Sequence, residues 1–195
     1  VVADAAMMSL KNLTALTQAG YTYIVGSRLT KIPYAIAEYQ KQEALIDQQI
    51  LVDQKTDYRI IYQYREKRAA LDRKNLEKQL LKAERIVSGE AVAHHSKFVT
   101  VKTKEKHLNY RLIEKAKVLI GIKGYVTNVD ISNQEVIAAY HQLFQVEKSF
   151  RMTKSDLKAR PIFHYKKDAI EAHLTLVLAA LAIGRRIETK TQLSL

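Results

Sequence analysis

The hydrophobic pattern of the first 30 residues changes from that of a strand to that of a helix and back to that of a strand. Residues 1–3 form a short apolar run that ends at Asp4, and residues 21–27 (YTYIVGS) are rich in strand-forming side chains. Between them, residues 5–19 carry apolar side chains, Met8 among them, at helical spacing. This strand–helix–strand order predicts a parallel crossover. It would leave Asp4 at the carboxyl edge of the sheet, where open α/β sheets place their chemistry.

The pattern is more polar between residues 33 and 119. Residues 58–64 (YRIIYQY) and 97–103 (KFVTVKT) alternate as short strands do. Residues 65–87 predict a long, highly charged helix with a poor apolar face, and residues 110–119 predict another helix. Because its strands are short and polar, we expect this region to be an insertion between two parts of a core domain.

The chain then returns to one strand and two helices. Residues 123–129 (KGYVTNV) predict a strand, and Ser132 with Glu135 forms the capping-box pattern that opens a helix. We expect this helix to run to about residue 157, before Pro161. The last predicted helix, residues 167–188, is apolar on all sides at its centre, which predicts that it is buried.

The helix after the capping box has a mixed face. Tyr140, Glu147, Arg151 and Lys154 recur at helical spacing, with leucine and phenylalanine interleaved. Such a face is typical of an ordinary amphipathic helix with intrahelical ion pairs. It also suits a carboxylate held at the boundary between a protein and a polyanion, and the pattern leaves both interpretations open.

Composition narrows the class of partner. The 195 residues include 32 Lys and Arg against 20 Asp and Glu, which gives a net charge of +12 and favours an anionic partner such as nucleic acid or a membrane surface. The absence of cysteine excludes disulfides and thiolate metal sites. The longest apolar run, residues 174–183, is too short to span a bilayer, and no membrane partner is expected. The chain opens on Val1 in mid-strand character, which predicts a piece of a longer protein.

Four stretches resemble a known family. They are the opening VVADAAMMSLKNLTALTQAGYTYIVGSRL, then GYVTN, VEKSFRMTKSDLKARPIFH and IEAHLTLVLAALAI. In this order they resemble the DDE-type transposases of bacterial insertion sequences, in the subgroup with a Tyr-x2-Arg-x3-Glu-x6-Lys signature. Tyr140, Glu147 and Lys154 fit the spacing, whereas Leu143 occupies the arginine position.

The resemblance implies an α/β fold with a partial ribonuclease-H-like core, interrupted by a β-containing insertion and followed by a long C-terminal helical part. The expected divisions are a catalytic core at residues 1–32, an insertion at 33–119, the return of the core at 120–184 and a tail at 185–195.

The resemblance also implies a site for cutting and joining DNA. Asp4 matches the second catalytic aspartate and Glu147 the catalytic glutamate. Both would be metal ligands for two Mg²⁺ or Mn²⁺ ions, because these hard cations prefer oxygen ligands. The first aspartate is expected upstream of Val1, so this chain alone is expected to have little or no activity.

The implied partner is double-stranded DNA, both transposon ends and target, bound by a homodimer in the bacterial cytoplasm at the nucleoid. Lys154 would meet the DNA backbone, Arg151 and Arg160 are further candidates for DNA contact, and Tyr140 would stack on or hydrogen-bond the DNA.

Other interpretations remain open. The chain could be a decayed remnant of a mobile element, a basic DNA-binding module that uses residues 65–85, or a helical interaction protein with that helix as a coiled-coil arm. Asp4 could serve only as a helix N-cap, and Glu147 could form only surface ion pairs with Arg151 or Lys154.

Overall fold

The structure is a computed structural model that describes residues 1–6, 9–91, 96–102 and 105–193. Met8, Thr103 and the last two residues of the predicted tail lie outside the described residues. The chain divides into two compact units, Val1–Tyr140 and His141–Leu195.

A five-stranded mixed sheet is the centre of the first unit, with the strand order β1-β2-β7-β4-β3. Its strands are β1 Val2–Ala3, β2 Ile24–Ser27, β3 Ile50–Gln54, β4 Arg59–Tyr64 and β7 Ile122–Thr127. A separate hairpin consists of β5 Val99–Lys102 and β6 Glu105–Leu108.

The predicted parallel crossover is confirmed. β1 pairs with β2 in parallel, with Val2 opposite Ile24 and Ala3 opposite Val25. Helix α1, Leu10–Gln18, connects the two strands, and it buries Leu13. The other pairings in this sheet, β2 with β7, β7 with β4 and β4 with β3, are antiparallel.

β3 and β4 come from the region predicted as an insertion, yet they join the same sheet as β1 and β2. β4 pairs with β7 along its whole length, from Arg59 opposite Thr127 to Tyr64 opposite Ile122. Ile61 and Val126 in these two strands are completely buried. The alternating residues 58–64 therefore form a central strand of a larger sheet, whereas the alternation at residues 97–103 marks β5 of the separate hairpin, and the edge strand β3 was not predicted.

The helices of the first unit match the predictions at residues 5–19, 65–87 and 110–119 and at the predicted start after residue 132, whereas the helix at residues 34–42 was not predicted. Besides α1 they are α2 Tyr34–Gln42, α3 Glu66–Val87, α4 Tyr110–Val118 and α5 Asn133–His141, of which the residues up to Tyr140 belong to this unit. The long α3 buries only Ala69, Ala83 and Ile86, in agreement with its predicted poor apolar face.

The predicted capping box at the start of α5 is confirmed. The backbone N–H of Ser132 donates to Glu135 Oε2 at 2.9 Å, and the backbone N–H of Glu135 donates to Ser132 Oγ at 3.2 Å. These hydrogen bonds hold the pKa of Glu135 below its usual value. The helix therefore begins where the sequence predicts, because its first backbone donors have local partners.

Two helices form the second unit. They are α6 Leu143–Ser155 and α7 Lys167–Thr191. Met152 of α6 and Val177 of α7 are buried, and Glu188 of α7 accepts hydrogen bonds from Lys148 at 2.5 Å and Arg185 at 2.7 Å. A buried carboxylate with two cationic partners thus ties α6 to α7.

Helix α7 differs from its prediction in two ways. It continues to Thr191, so Arg185 belongs to an ordered helix and not to an exposed tail. Its centre is also less buried than predicted, because Leu176 is 71% exposed and Leu178 is 61% exposed. A helix that is apolar on all sides has more apolar surface than a single partner helix can cover. No helix within the described ranges is long and apolar enough to cross a membrane.

Candidate active site

Asp4 directly follows β1 at the carboxyl end of the parallel pair. Its side chain is exposed, and Asp4 Oδ1 accepts a hydrogen bond from the backbone N–H of Ala6 at 2.8 Å. The alternative role as the N-cap of α1 belongs to Ser9, whose Oγ accepts from the backbone N–H of Asn12 at 3.1 Å. Asp4 therefore lies in a tight turn at the sheet edge and does not cap the helix.

Tyr140 occupies the last turn of α5 and is buried, with 9% of its surface exposed. Its ring packs edge-on against Tyr125 of β7, with ring centroids 5.0 Å apart and planes at 71°. Lys123 Nζ lies over the Tyr140 ring at 4.3 Å from its centroid, which is a favourable cation–π distance. This position differs from the solvent-facing one expected of a residue that stacks on DNA.

Gly26 of β2 lies beside the hydroxyl end of Tyr140. A Cβ at this position would lie 2.7 Å from Tyr140 Oη and 3.1 Å from the backbone nitrogen of Ala5. The phenol oxygen of the signature tyrosine and the turn that carries Asp4 therefore lie on the same side of Gly26. Tyr140 and the turn that carries Asp4 thus approach the same glycine within the first unit.

The mixed face is interrupted at Gln142, because the structure has two helices where one was predicted. α5 ends at His141, α6 begins at Leu143, and the boundary between the units falls after Tyr140. Val136 and Tyr140 are buried in the first unit, whereas Met152 is buried in the second. The apolar positions on the two sides of Gln142 are therefore in different cores, which the continuous sequence pattern does not reveal.

Glu147, Arg151 and Lys154 keep their common face on α6. All three side chains are exposed, as is Arg160 in the segment that follows the helix. In the part of the second unit that the structure describes, residues 141–193, none of the four forms an ion pair. The alternative in which Glu147 serves only as a partner in a surface ion pair is therefore not found, and the face presents a carboxylate and two cations to solvent.

Leu143, which stands at the arginine position of the signature, is half-buried at the first turn of α6. A leucine has no hydrogen-bond donor for a phosphate oxygen. The nearest cation on the same helix face is Arg151, two turns further along.

The donor chemistry of Asp4 and Glu147 fits Mg²⁺ or Mn²⁺, because both offer exposed carboxylate oxygens. The two residues belong to different units, Asp4 to the first and Glu147 to the second. No group of three or more histidine, aspartate and glutamate side chains suited to a metal ion occurs within the described ranges of either unit.

His164 and His173 lie near each other in the second unit. The rings of His164 and His173 lie with centroids 5.6 Å apart, and His173 Nε2 is buried with no hydrogen-bond partner among the described residues. A buried ring nitrogen usually has a hydrogen-bond partner, so His173 Nε2 is an exception among the described residues.

Sequence reasoning missed Gly26, Lys123 and Tyr125. Lys123 and Tyr125 alternate within a strand that was predicted, so the period of two could have placed both on one face. Gly26 gives no such signal, because its importance comes from the close approach of Tyr140 of α5 and of the turn that follows β1.

Comparison with known proteins gives one match. A family model described as a transposase DDE domain matches residues 1–183. Neither the curated proteins nor the solved structures give a match to this chain.

Proposed function

Because this chain belongs to the transposase DDE-domain family, we propose that it carries part of the machinery for cutting and joining DNA during the transposition of a bacterial insertion sequence. The single observation that carries the proposal is the family match, which extends from before Asp4 to beyond Glu147 and Lys154. Within this proposal, the chain belongs to the subgroup with the Tyr-Arg-Glu-Lys signature, has a ribonuclease-H-like core and acts at the nucleoid.

The proposed reaction is an in-line displacement at phosphorus. Water attacks a DNA phosphodiester, the bond from phosphorus to the 3′ oxygen breaks, and the released strand takes a proton to become a 3′-hydroxyl. That hydroxyl then attacks a phosphodiester of the target, and the leaving strand oxygen takes up the proton in turn. When bound, two divalent ions activate the attacking oxygen and stabilise the leaving oxygen.

Asp4 and Glu147 are the proposed catalytic and metal-binding residues. Each contributes carboxylate oxygens, and both side chains are exposed and thus accessible to ions and phosphate. Their identification rests on the resemblance. The family triad has one more aspartate than these two positions supply, so we expect the 195-residue chain alone to have little activity.

Arg151, Lys154 and Arg160 are the proposed contacts to the DNA backbone. All three are exposed, and the face of α6 that carries Arg151 and Lys154 also carries Glu147. Cations at this position would hold phosphates near the carboxylate without reading the base sequence. Tyr140 is also retained as a proposed DNA contact, through the part of its side chain that stays accessible.

The test is Mg²⁺-dependent nicking of a DNA duplex that carries the ends of the mobile element, with the upstream aspartate segment supplied. We expect Asp4→Asn and Glu147→Gln to abolish nicking, because each removes a charged metal ligand, and to leave DNA affinity equal or higher. Asp130→Asn and Glu171→Gln are matched controls, since both are exposed acids away from the proposed site. Cleavage that survives Asp4→Asn or Glu147→Gln would show that the ligand assignment is wrong.

A DNA-binding module without chemistry is the second candidate. The observation in its favour is a row of exposed lysines, Lys67, Lys74 and Lys78, on the side of α3 that faces away from its buried residues. This candidate predicts DNA binding that needs these lysines and no nicking with any divalent ion.

A further inference from the structure

We propose that Tyr140 is a positioning residue that fixes the turn bearing Asp4, and that Gly26 is a glycine because it must leave room for this contact. The proposal rests on the proposed function for the role of Asp4 as a metal ligand. The contact itself is a feature of the first unit and does not depend on that role.

The space next to Gly26 is where the two elements meet. A Cβ at Gly26 would be 2.7 Å from Tyr140 Oη, 3.1 Å from Ala5 N and 3.3 Å from Ala5 Cβ. These distances are below or near the lower limit of normal contacts, so no side chain fits without moving the phenol or the turn. A glycine here allows close approach of a side chain from α5 to the backbone that follows β1.

The direction of the Tyr140 hydroxyl is fixed from the opposite side. Tyr125, the sheet partner of Gly26, contacts the Tyr140 ring edge-on at 5.0 Å. Lys123 Nζ lies 4.3 Å from the Tyr140 ring centroid and 5.6 Å from the centroid of Tyr125. Packing and cation–π attraction together aim the phenol across the strand towards residues 4 and 5.

The Asp4 turn is held between these contacts. On its sheet side, Ala3 pairs with Val25 of β2. Within the turn, the Ala6 N–H donates to Asp4 Oδ1 at 2.8 Å. The Tyr140 hydroxyl and Ala5 of the turn both lie against Gly26, so the turn that carries the carboxylate is bordered by the strand before it and by the phenol. A metal ligand needs this support, since loss of an outer contact weakens metal binding by about 10–100-fold.

The burial of Tyr140 favours this role over a purely DNA-contacting one. Only 9% of its surface is exposed, whereas Arg151 and Lys154 are exposed side chains. A ring packed on two sides offers little face for base stacking. Tyr140 thus acts on the reaction through Asp4.

The first test is a double-substitution cycle between Gly26 and Tyr140. We expect Gly26→Ala to lower the urea midpoint of unfolding and to shift the amide resonances of Ala5 and Ala6. Tyr140→Phe removes the oxygen that the new methyl group meets, so the double variant should recover most of both effects. Gly124→Ala is the matched control, because its Cβ would meet Ser27 Cβ at 2.7 Å, and Tyr140→Phe should not rescue it. Additive effects of Gly26→Ala and Tyr140→Phe would overturn the proposal.

The second test separates positioning from a merely structural role. Mn²⁺ titrated into the 195-residue chain should broaden the Ala5 and Ala6 amide resonances. In the Tyr140→Phe variant, the Mn²⁺ concentration that produces the same broadening should be roughly tenfold higher. If Tyr140→Phe lowers DNA affinity but leaves the Ala5 and Ala6 resonances and their Mn²⁺ response unchanged, Tyr140 is a DNA contact and the inference is wrong. If Mn²⁺ has no effect on these resonances in the unsubstituted chain, the metal role of Asp4 fails, and the double-substitution cycle still tests the contact.

Discussion

At the scale of the residue, burial decides what a side chain can do. Asp4 and Glu147 are exposed carboxylates, as ligands for an incoming ion must be, whereas Tyr140 is buried beside the turn of Asp4. The signature positions 140, 147 and 154 look equivalent in the sequence, and in the structure they differ in exposure and lie in different units. Tyr140 therefore has a packing environment that Glu147 and Lys154 do not share.

The core includes several tyrosines, among them Tyr62 and Tyr125. Burial raises the pKa of Tyr62 and of Tyr125 from 10.0 to about 12. The unfolded chain therefore loses these protons before the folded chain does. The contribution to stability is complete below pH 10 and is lost as the pH rises towards 12.

We therefore predict that the free energy of unfolding falls between pH 10 and pH 12, by on the order of 1–2 kcal/mol for each buried tyrosine. Tyr62→Phe and Tyr125→Phe should each flatten this slope, since they remove a proton that the folded state holds more tightly. Urea unfolding across this pH range measures the slope, and comparison with the unsubstituted chain cancels the titration of lysines. An unchanged slope in both variants would show that Tyr62 and Tyr125 do not cause the fall in stability at high pH.

At the scale of the element, a local signal defines where α5 begins, whereas a long-range contact stabilises the end of α7. The capping box of Ser132 and Glu135 defines the start of α5 from within four residues. The extension of α7 to Thr191 has a partner distant in sequence. Lys148 and Glu188 bond across 40 residues and stabilise the last turns of α7 against α6.

We predict that Glu188→Gln lowers the free energy of unfolding by about 1–3 kcal/mol, because Lys148 and Arg185 lose the negative charge that compensates them in a mostly buried position. Chemical denaturation measures the change. Glu171→Gln is the control, since its ion pair with Lys167 is long at 3.7 Å and exposed, and it should change stability by less than about 0.5 kcal/mol. Equal effects of the two substitutions on the free energy of unfolding would mean that the buried ion pairs of Glu188 stabilise the protein no more than the exposed pair of Glu171.

At the scale of the whole molecule, the net charge of +12 makes DNA binding dependent on salt. Exposed basic side chains that could bind the DNA backbone lie on α6, with Arg151 and Lys154, and on α3, with Lys67, Lys74 and Lys78. In the proposed function, the α6 surface binds the DNA next to the phosphodiester that is cut.

We predict that Arg151→Ala combined with Lys154→Ala weakens DNA binding and reduces the slope of log affinity against log salt by about 2, because each phosphate contact contributes about 0.9. The matched variant replaces Lys67 and Lys74 by alanine, which removes the same charge from α3. Fluorescence anisotropy at several salt concentrations measures both slopes. A larger loss with the α3 variant would favour the binding module without chemistry.

The sequence by itself determined the local features of this protein. Residues 1–27 specified a parallel crossover whose first strand is followed by Asp4, since the alternation of strand and helix periods is a local signal. The spacing of Tyr140, Glu147 and Lys154 and the four ordered stretches were enough to indicate the family that the comparison then identified.

Only the tertiary structure decided which residues are neighbours and which are covered. It brought Tyr140 to Gly26 and the Asp4 turn, split the predicted helix at Gln142 and exposed apolar positions of α7. The physical reason is that periodicity records which side of an element is apolar, whereas burial depends on whether another element covers that side. The neighbours of Gly26 come from a loop and a helix more than a hundred residues apart, and no local pattern encodes their meeting.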